Sequence, residues 1–122
     1  MDGYKSLVAW QLASALALET LDVIERAWHP RCRIVFDQLV RAVVSTDVNI
    51  VEGWALGTLA LYRRHLRIAL GSAAEAERLL EIAKERRYLD QGAVERLLKI
   101  SERTTRALYG LIRSRHLQVR SP

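Results

Sequence analysis

The sequence predicts an all-α fold, an antiparallel up-down-up-down four-helix bundle. Apolar residues recur at intervals of three and four along four long stretches, which is the spacing of one face of an α-helix. Strong helix formers dominate the 122 residues, and only two prolines and six glycines interrupt them. The chain is long enough for one hydrophobic core, so we expect a single domain over residues 1–122.

The first helix is predicted over residues 6–28. Ser6 can cap its start, and Pro30 disfavours helical geometry just beyond its end. A helix that is apolar on two faces needs two partners, one of which can be another subunit. One such face carries Leu7, Trp10, Leu18, Leu21 and Ile24, and the other carries Val8, Leu12, Leu16 and Val23.

The second helix is predicted from Arg33 to a break at Gly57 and Thr58, where Thr58 caps the next helix. The β-branched residues within 43–46 have weak helix propensity, and a short strand is the alternative there. We favour a helix because the spacing of three and four resumes in phase at Ile50 and Trp54.

The third and fourth helices are predicted over residues 59–87 and 91–116, with Asp90 as the cap of the fourth. Gly71 lies within a patch of small residues on the third helix, and such a patch permits the close approach of another helix. Short connections between four helices of this length favour the antiparallel bundle.

The composition is that of a soluble globular protein, with half of the residues apolar and 27% charged. No apolar run approaches the roughly 20 residues that span a bilayer, so we expect no membrane association. Asp2 and the single Lys5 make a poor signal peptide, and we expect a cytoplasmic protein. Cys32 is the only cysteine, which excludes an intrachain disulfide or a site made of several cysteines.

Two stretches carry a family signature. The first is VSTDVNIVEGWALG, and the second is LYRRHLRIALGSAAEAERLLEIAKERRYLD. They resemble the four-helix-bundle proteins encoded in intervening sequences of bacterial 23S ribosomal RNA genes, whose pattern is SIPxNIxEG, then F-x-x-x-L-x-x-A-x-G-S-x-x-E, then a Gly-Tyr-Leu-like turn. The matching residues are Ser45, Asn49, Ile50, Glu52, Gly53, Leu66, Ala69, Gly71, Ser72, Glu75, Tyr88 and Leu89.

The resemblance implies a homo-pentameric ring of bundles with no established enzymatic activity. It also implies similarity to the accessory proteins of diversity-generating retroelements, which are thought to engage a reverse transcriptase and nucleic acid. Thr46 and Asp47 stand where the family has Ile-Pro, so we expect helix 2 to lack the proline kink.

A polar set lies on the second and third helices, where a buried face is expected. Ser45, Asn49 and Glu52 share one face of helix 2 because they are four and three residues apart. A fold-back around residues 56–57 pairs Asn49 with Arg64, Ser45 with Ile68 and Arg41 with Ser72, which allows ion pairs between Arg41 and Glu75 and between Glu52 and an arginine. We interpret the set as a hydrogen-bond network that fixes helix register or a subunit contact, and a ligand-binding or acid/base site is the alternative.

Basic clusters are the feature that points to a function. The net charge is +5, and 16 of the 19 basic residues are arginine. Arginine forks onto phosphates as well as carboxylates, so these clusters predict either a nucleic-acid surface or a salt-bridged face. The predicted nucleic-acid-binding residues are Arg31, Arg33, Arg103, Arg106, Arg113 and Arg115.

We therefore expect a non-catalytic oligomeric protein that binds RNA or DNA with little base readout. A scaffold that binds a protein partner is the alternative. An enzyme is the third possibility, and we do not favour it because the three histidines lack metal-ligand spacing and no phosphate-binding glycine loop occurs. No cofactor is expected.

Overall fold

A computed structural model describes residues 3–114. Its four helices are α1 (Val8–Ala27), α2 (Arg33–Leu56), α3 (Leu59–Glu85) and α4 (Gln91–Ile112), with short 3-10 helices at Gly3–Ser6 and Pro30–Cys32. Residues 3–114 contain no strand, which confirms the predicted all-α class. Residues 43–46 lie inside α2, so the helix is correct there and the alternative strand is wrong.

Each helix packs on the next one in sequence, and α1 closes the bundle against α4. Side-chain contacts between the helices show that neighbours run in opposite directions. Trp10 of α1 donates to Asp47 of α2 at 2.8 Å, and Lys84 near the end of α3 pairs with Glu95 near the start of α4. The longer connections, residues 28–32 and 86–90, therefore lie at one end of the bundle.

The core runs along the bundle axis as two clusters of buried residues. One lies toward the longer connections and includes Phe36, Leu80 and Leu97. The other lies toward the turn between α2 and α3 and includes Tyr62 and Leu108. Burial of a large apolar side chain contributes about 1.5–3 kcal/mol, so these clusters account for most of the stabilisation of the fold.

Helix ends follow the predicted chemistry at two of three sites. The Thr58 hydroxyl accepts from the Leu61 N–H at 3.2 Å, and the Asp90 carboxylate accepts from the Ala93 N–H at 3.4 Å, which confirms both caps. The predicted Ser6 cap is wrong. Its hydroxyl donates to the Gly3 carbonyl inside the preceding 3-10 turn, and α1 begins only at Val8.

Other helix boundaries differ from the predictions by a few residues. Helix α3 ends at Glu85 rather than at residue 87, because Arg87 adopts a left-handed conformation. Helix α4 ends at Ile112, whereas the prediction extended to residue 116, which lies outside the described residues. Helix α2 is continuous through Thr46 and Asp47, where the family has Ile-Pro.

The buried face of α1 takes one residue from each predicted face and otherwise consists of small residues. Ile24 and Leu16 are buried as predicted, and Ala9, Ala13 and Ala17 fill the rest of the face, whereas Leu18 is 66% exposed. Alanine at these positions lets the neighbouring helices approach closely, and the larger Leu18 side chain remains outside. A periodicity argument that weights leucine above alanine therefore finds only part of the buried stripe.

A search of the described helices for a membrane-crossing segment finds none that is both long enough and apolar enough.

Candidate nucleic-acid interface

Basic side chains form one outward stripe along α4. We call this set the α4 stripe, and it consists of Arg96, Lys99, Arg103, Arg106 and Arg113. The members are spaced by three, four, three and seven residues, so they share one side of the helix. All five are exposed, and they extend over about 25 Å at 1.5 Å per residue.

Two members of the α4 stripe have carboxylate partners. Arg96 pairs with Glu19 of α1, and Arg106 pairs with Glu102 at 2.7 Å. Lys99, Arg103 and Arg113 form no ion pair with any described residue; Arg113 instead lies 5.7 Å from the centre of the Tyr109 ring. The stripe therefore keeps three cations available for an external anion.

An open groove lies beside the first half of the stripe, lined by Gly92, Glu95, Arg96, Lys99, Ile100 and Arg103. Glu95 is the acidic group in that lining. Its carboxylate lies 2.5 Å from the Lys84 ammonium, whose hydrogen bond and positive charge hold the pKa of Glu95 below its ordinary value, with a smaller contribution from Lys99. Lys84 thus neutralises the negative charge of Glu95, the carboxylate on which Lys99 also acts.

Arg31 and Arg33 lie at the end of the bundle where the two longer connections meet. The Arg31 guanidinium lies 5.4 Å from the centre of the Tyr88 ring, and Arg86 approaches the same ring at 5.8 Å. Arg33 lies 4.0 Å from the carboxylate of Asp37. Arg31 thus lies against the connection of residues 86–90, whereas Arg33 faces a carboxylate of its own helix.

The six arginines predicted to bind nucleic acid do not form one patch. Arg103, Arg106 and Arg113 share the α4 stripe, whereas Arg31 and Arg33 lie at the end of the bundle opposite to Arg113. Arg115 lies outside the described residues. Sequence reasoning did not include Lys99 or Arg96 in the site, although the spacing of three and four that links Arg103 to Arg106 continues backward to both.

Three members of the predicted polar set, together with His65, form a chain of hydrogen-bonded side chains. The Ser45 and Ser72 hydroxyls lie 2.8 Å apart, and the Asn49 amide nitrogen donates to the Ser45 carbonyl and hydroxyl at 2.9 and 3.0 Å. The Asn49 oxygen lies 2.9 Å from Nδ1 of His65. An amide oxygen can only accept a hydrogen bond, so Nδ1 of His65 carries the hydrogen.

The remaining predicted contacts of that set are wrong. Asn49 bonds to His65 rather than approaching Arg64, and Glu52 lies 3.8 Å from His65 rather than beside an arginine. Arg41 and Glu75 form no ion pair within residues 3–114, and both are exposed, as is Arg64.

A shift in helix register explains these differences. Ser45 lies opposite Ser72, a position that the predicted fold-back assigns to Arg41, and Asn49 meets His65, one residue beyond the predicted Arg64. The contacts are therefore displaced by one to four residues along the seam between α2 and α3. The turn is centred between Gly57 and Thr58 rather than between residues 56 and 57, which accounts for part of that displacement.

Gly53 marks a close approach of α2 and α3. A Cβ atom built at this position would lie 2.8 Å from Cβ of His65 and 3.1 Å from Cδ1 of Tyr62. The helices therefore pack together at Gly53 only because it has no side chain, and this contact holds His65 within reach of Asn49.

The fold resembles that of a solved structure. A crystal structure at 1.70 Å resolution of a protein of unknown function from the S23 ribosomal protein family of Bacteroides thetaiotaomicron aligns with a TM-score of 0.76 and 22% sequence identity. The alignment covers 88% of this chain and all of the other chain. At this identity the similarity establishes the fold alone. A search of curated proteins finds no match.

The sequence also matches a family model directly. The model is that of the 23S rRNA-intervening sequence protein, and it aligns with residues 5–110, which include all four helices almost completely. Since the match extends over most of the sequence, the chain belongs to the 23S rRNA-intervening sequence protein family.

Proposed function

We propose that the protein is a non-catalytic, cytoplasmic homo-oligomer that binds the phosphate backbone of RNA or DNA through the α4 stripe. The observation that carries this proposal is the row of cations along α4, in which Lys99, Arg103 and Arg113 have no carboxylate partner within the described chain. Backbone phosphates attract such a row regardless of base sequence, so we expect affinity with little base readout.

The overall charge supports the same proposal. Each chain carries a net charge of +5 at pH 7. Five copies in one particle would carry about +25, and such a field attracts polyanions over distances of a Debye length. Assembly would therefore strengthen the attraction that one stripe exerts.

A second surface supports self-association. We call it the α2–α3 face, and it consists of Val44, Val48, Leu61 and Ile68, which are between 36% and 41% exposed. Val44 and Val48 are four residues apart on α2, and Leu61 and Ile68 are seven apart on α3, so each pair shares one face of its helix. A second copy of the chain would remove this apolar surface from water.

Charge complementarity favours a second copy as the occupant of the α2–α3 face. Arg41 and Glu75 are exposed beside the seam and have no ionic partner within residues 3–114. A ring joins two different surfaces of neighbouring subunits, so Arg41 beside the seam of one subunit can pair with a carboxylate on the adjoining surface of the next. We propose five subunits because the family resemblance implies a pentameric ring.

The test is fluorescence anisotropy of the native oligomer, whose mass is first verified by light scattering. The probes are labelled single-stranded RNA, duplex RNA and duplex DNA, each at low and near-physiological salt. We expect micromolar or tighter binding that weakens steeply with salt. The double variant Arg103→Glu and Arg113→Glu should abolish binding without unfolding the bundle.

The matched control reverses two arginines outside the α4 stripe, Arg26→Glu and Arg78→Glu. Each double variant replaces two arginines by two glutamates, so the net charge changes equally. Arg26 and Arg78 are exposed and already paired with acids, so the control should bind far better than the Arg103→Glu, Arg113→Glu protein, which we call the stripe variant. Equal loss in the two variants would assign binding to net charge alone. No binding by the wild-type protein at low salt would refute the proposal.

A scaffold for a protein partner is the second candidate, and the exposed apolar α2–α3 face favours it. In that case a protein partner would be captured after nuclease treatment, and the stripe variant would capture it equally well. Loss of capture in the stripe variant, or after nuclease treatment, would exclude this candidate.

A further inference from the structure

The two longer connections meet around one tyrosine. We call this region the connection end, and it comprises residues 28–33 and 86–90. The Tyr88 ring packs edge-on against Phe36 with the centroids 6.2 Å apart, and the Arg31 and Arg86 guanidiniums lie 5.4 and 5.8 Å from its centre. Two cations from different connections are thus gathered at one half-buried aromatic ring.

Carboxylates compensate the cations of the connection end only in part. Arg31, Arg86 and Arg87 form no ion pair within residues 3–114, and Asp90 is already the cap of α4. The acids Asp22, Asp37 and Glu95 have basic partners of their own, which leaves the exposed Glu25 and Glu85 in the last turns of α1 and α3. Three unpaired arginines against two unpaired glutamates leave this end with an excess of positive charge, which attracts a polyanion.

Arg87 provides an independent observation. Its φ is 58°, in the left-handed region, and it terminates α3 in a Schellman arrangement in which the Tyr88 N–H donates to the Ala83 carbonyl at 2.9 Å. Glycine is the usual residue at such a position, because a Cβ atom makes this backbone conformation unfavourable. An arginine there lowers stability, so its side chain is better explained by a role outside the fold.

An exposed aromatic residue lies on the first connection. Trp28 is 52% exposed, and its Cα lies at most about 11 Å from that of Arg31, since three residues separate them. Cations interleaved with an exposed aromatic ring are the features by which proteins bind single strands, with bases stacked on rings and phosphates held by arginine. In a duplex the bases are already stacked, so the ring would gain nothing there.

We infer that the connection end is a binding site for single-stranded nucleic acid, in which Trp28 stacks on a base and Arg31, Arg86 and Arg87 contact backbone phosphates. This inference rests on the proposed function and specifies the form of nucleic acid that this end of the bundle binds. The α4 stripe, which consists of cations alone, accepts single strands and duplexes alike.

The test compares a labelled oligouridylate with an RNA duplex of equal length, using the full-length oligomer. Trp28→Ala should weaken oligouridylate binding about 5- to 100-fold and leave duplex binding nearly unchanged. Trp28→Phe should restore most of the affinity, because it keeps a stacking ring. Leu18→Ala is the control, since Leu18 is an exposed apolar residue of α1 that lies away from the connection end.

The Arg87→Gly variant provides a second test. If Arg87 had only a structural role, the variant would change stability without changing oligouridylate binding. It should raise the midpoint of urea unfolding, because glycine suits the left-handed conformation. It should also weaken oligouridylate binding and reduce the salt slope by about 0.7, the value for one lost phosphate contact on a single strand. A more stable variant with unchanged affinity and salt slope would refute the role of Arg87.

The outcomes separate this inference from the function on which it rests. If the wild-type protein binds neither probe at low salt, the proposed function fails. If it binds both probes and Trp28→Ala binds oligouridylate as tightly as wild type, only the inference fails. Trp28→Ala could instead dissociate the oligomer, or lose a captured protein partner while its oligouridylate affinity is unchanged. Either result would assign Trp28 to a protein contact and overturn the inference.

Discussion

Gly53→Ala tests whether α2 and α3 are held in register by close contact. The added Cβ would lie 2.8 Å from Cβ of His65 and 3.3 Å from the Tyr62 carbonyl oxygen, both well inside the 3.5–4.0 Å that is optimal for carbon contacts. Neither atom can move without α3, so the helices must separate. Overpacking of this kind costs about 1–3 kcal/mol, whereas the higher helix propensity of alanine returns about 0.5–1 kcal/mol. The net destabilisation should be about 1 kcal/mol.

Gly110→Ala is the matched control, because no atom lies within 4 Å of a Cβ built there. It should stabilise the protein by up to about 1 kcal/mol, so the two alanine variants should differ by about 1–3 kcal/mol. The assay is urea unfolding followed by circular dichroism at one fixed protein concentration, because self-association makes stability concentration-dependent. A Gly53→Ala protein as stable as the Gly110→Ala protein would refute the argument that α2 and α3 depend on a missing side chain.

Three further predictions concern assembly, the polar chain and pH. Val48→Asp should weaken self-association at least about 100-fold by placing an unpaired charge in the subunit contact, as measured by light scattering, whereas Gln91→Asp should not. Asn49→Ala should lower the free energy of unfolding by about 1–3 kcal/mol, because His65 loses its amide partner and Ser45 keeps only Ser72; an unchanged urea midpoint would contradict this. The pKa of Glu95 is lowered from 4.5 by Lys84, so the pair adds stability above that pH and loses it as the pH falls through the folded pKa. Urea unfolding should therefore show Glu95→Gln to be less stable than wild type at neutral pH and equal to it in acid.

The fold was predictable because local signals agree along the whole chain. Each of these signals acts over a few residues and is visible in the sequence. They are the apolar spacing of three and four, the side-chain caps at Thr58 and Asp90, and the left-handed glycine at Gly57. The α4 stripe belongs to the same class of signal, since the charges of Arg103 and Arg106 repeat with the helical period.

The partners in the polar chain were not predictable in the same way. Periodicity specifies which face of α2 meets α3, but it does not specify the offset along the helix axis. That offset is set by three-dimensional contacts such as the one at Gly53, and it brings Ser45 rather than Arg41 to Ser72 and His65 rather than Arg64 to Asn49. The buried alanines of α1 were missed because small volume, rather than hydrophobicity, selects them.

The positions of the two proposed surfaces lead to a prediction about avidity. Helix α4 packs between α3 and α1, so the α4 stripe lies away from the α2–α3 face. In a ring whose α2–α3 face meets a surface of the next subunit other than the α4 stripe, the stripe stays exposed on every subunit. Several linked stripes bind a long polyanion much more tightly than one stripe does, by about 10²–10⁴-fold. Val48→Asp, which changes no arginine, should therefore weaken binding of a long RNA strongly and binding of a short oligonucleotide only slightly. If both probes lose affinity equally, Val48 acts through the fold or the local charge rather than through assembly, and the multivalent arrangement is wrong.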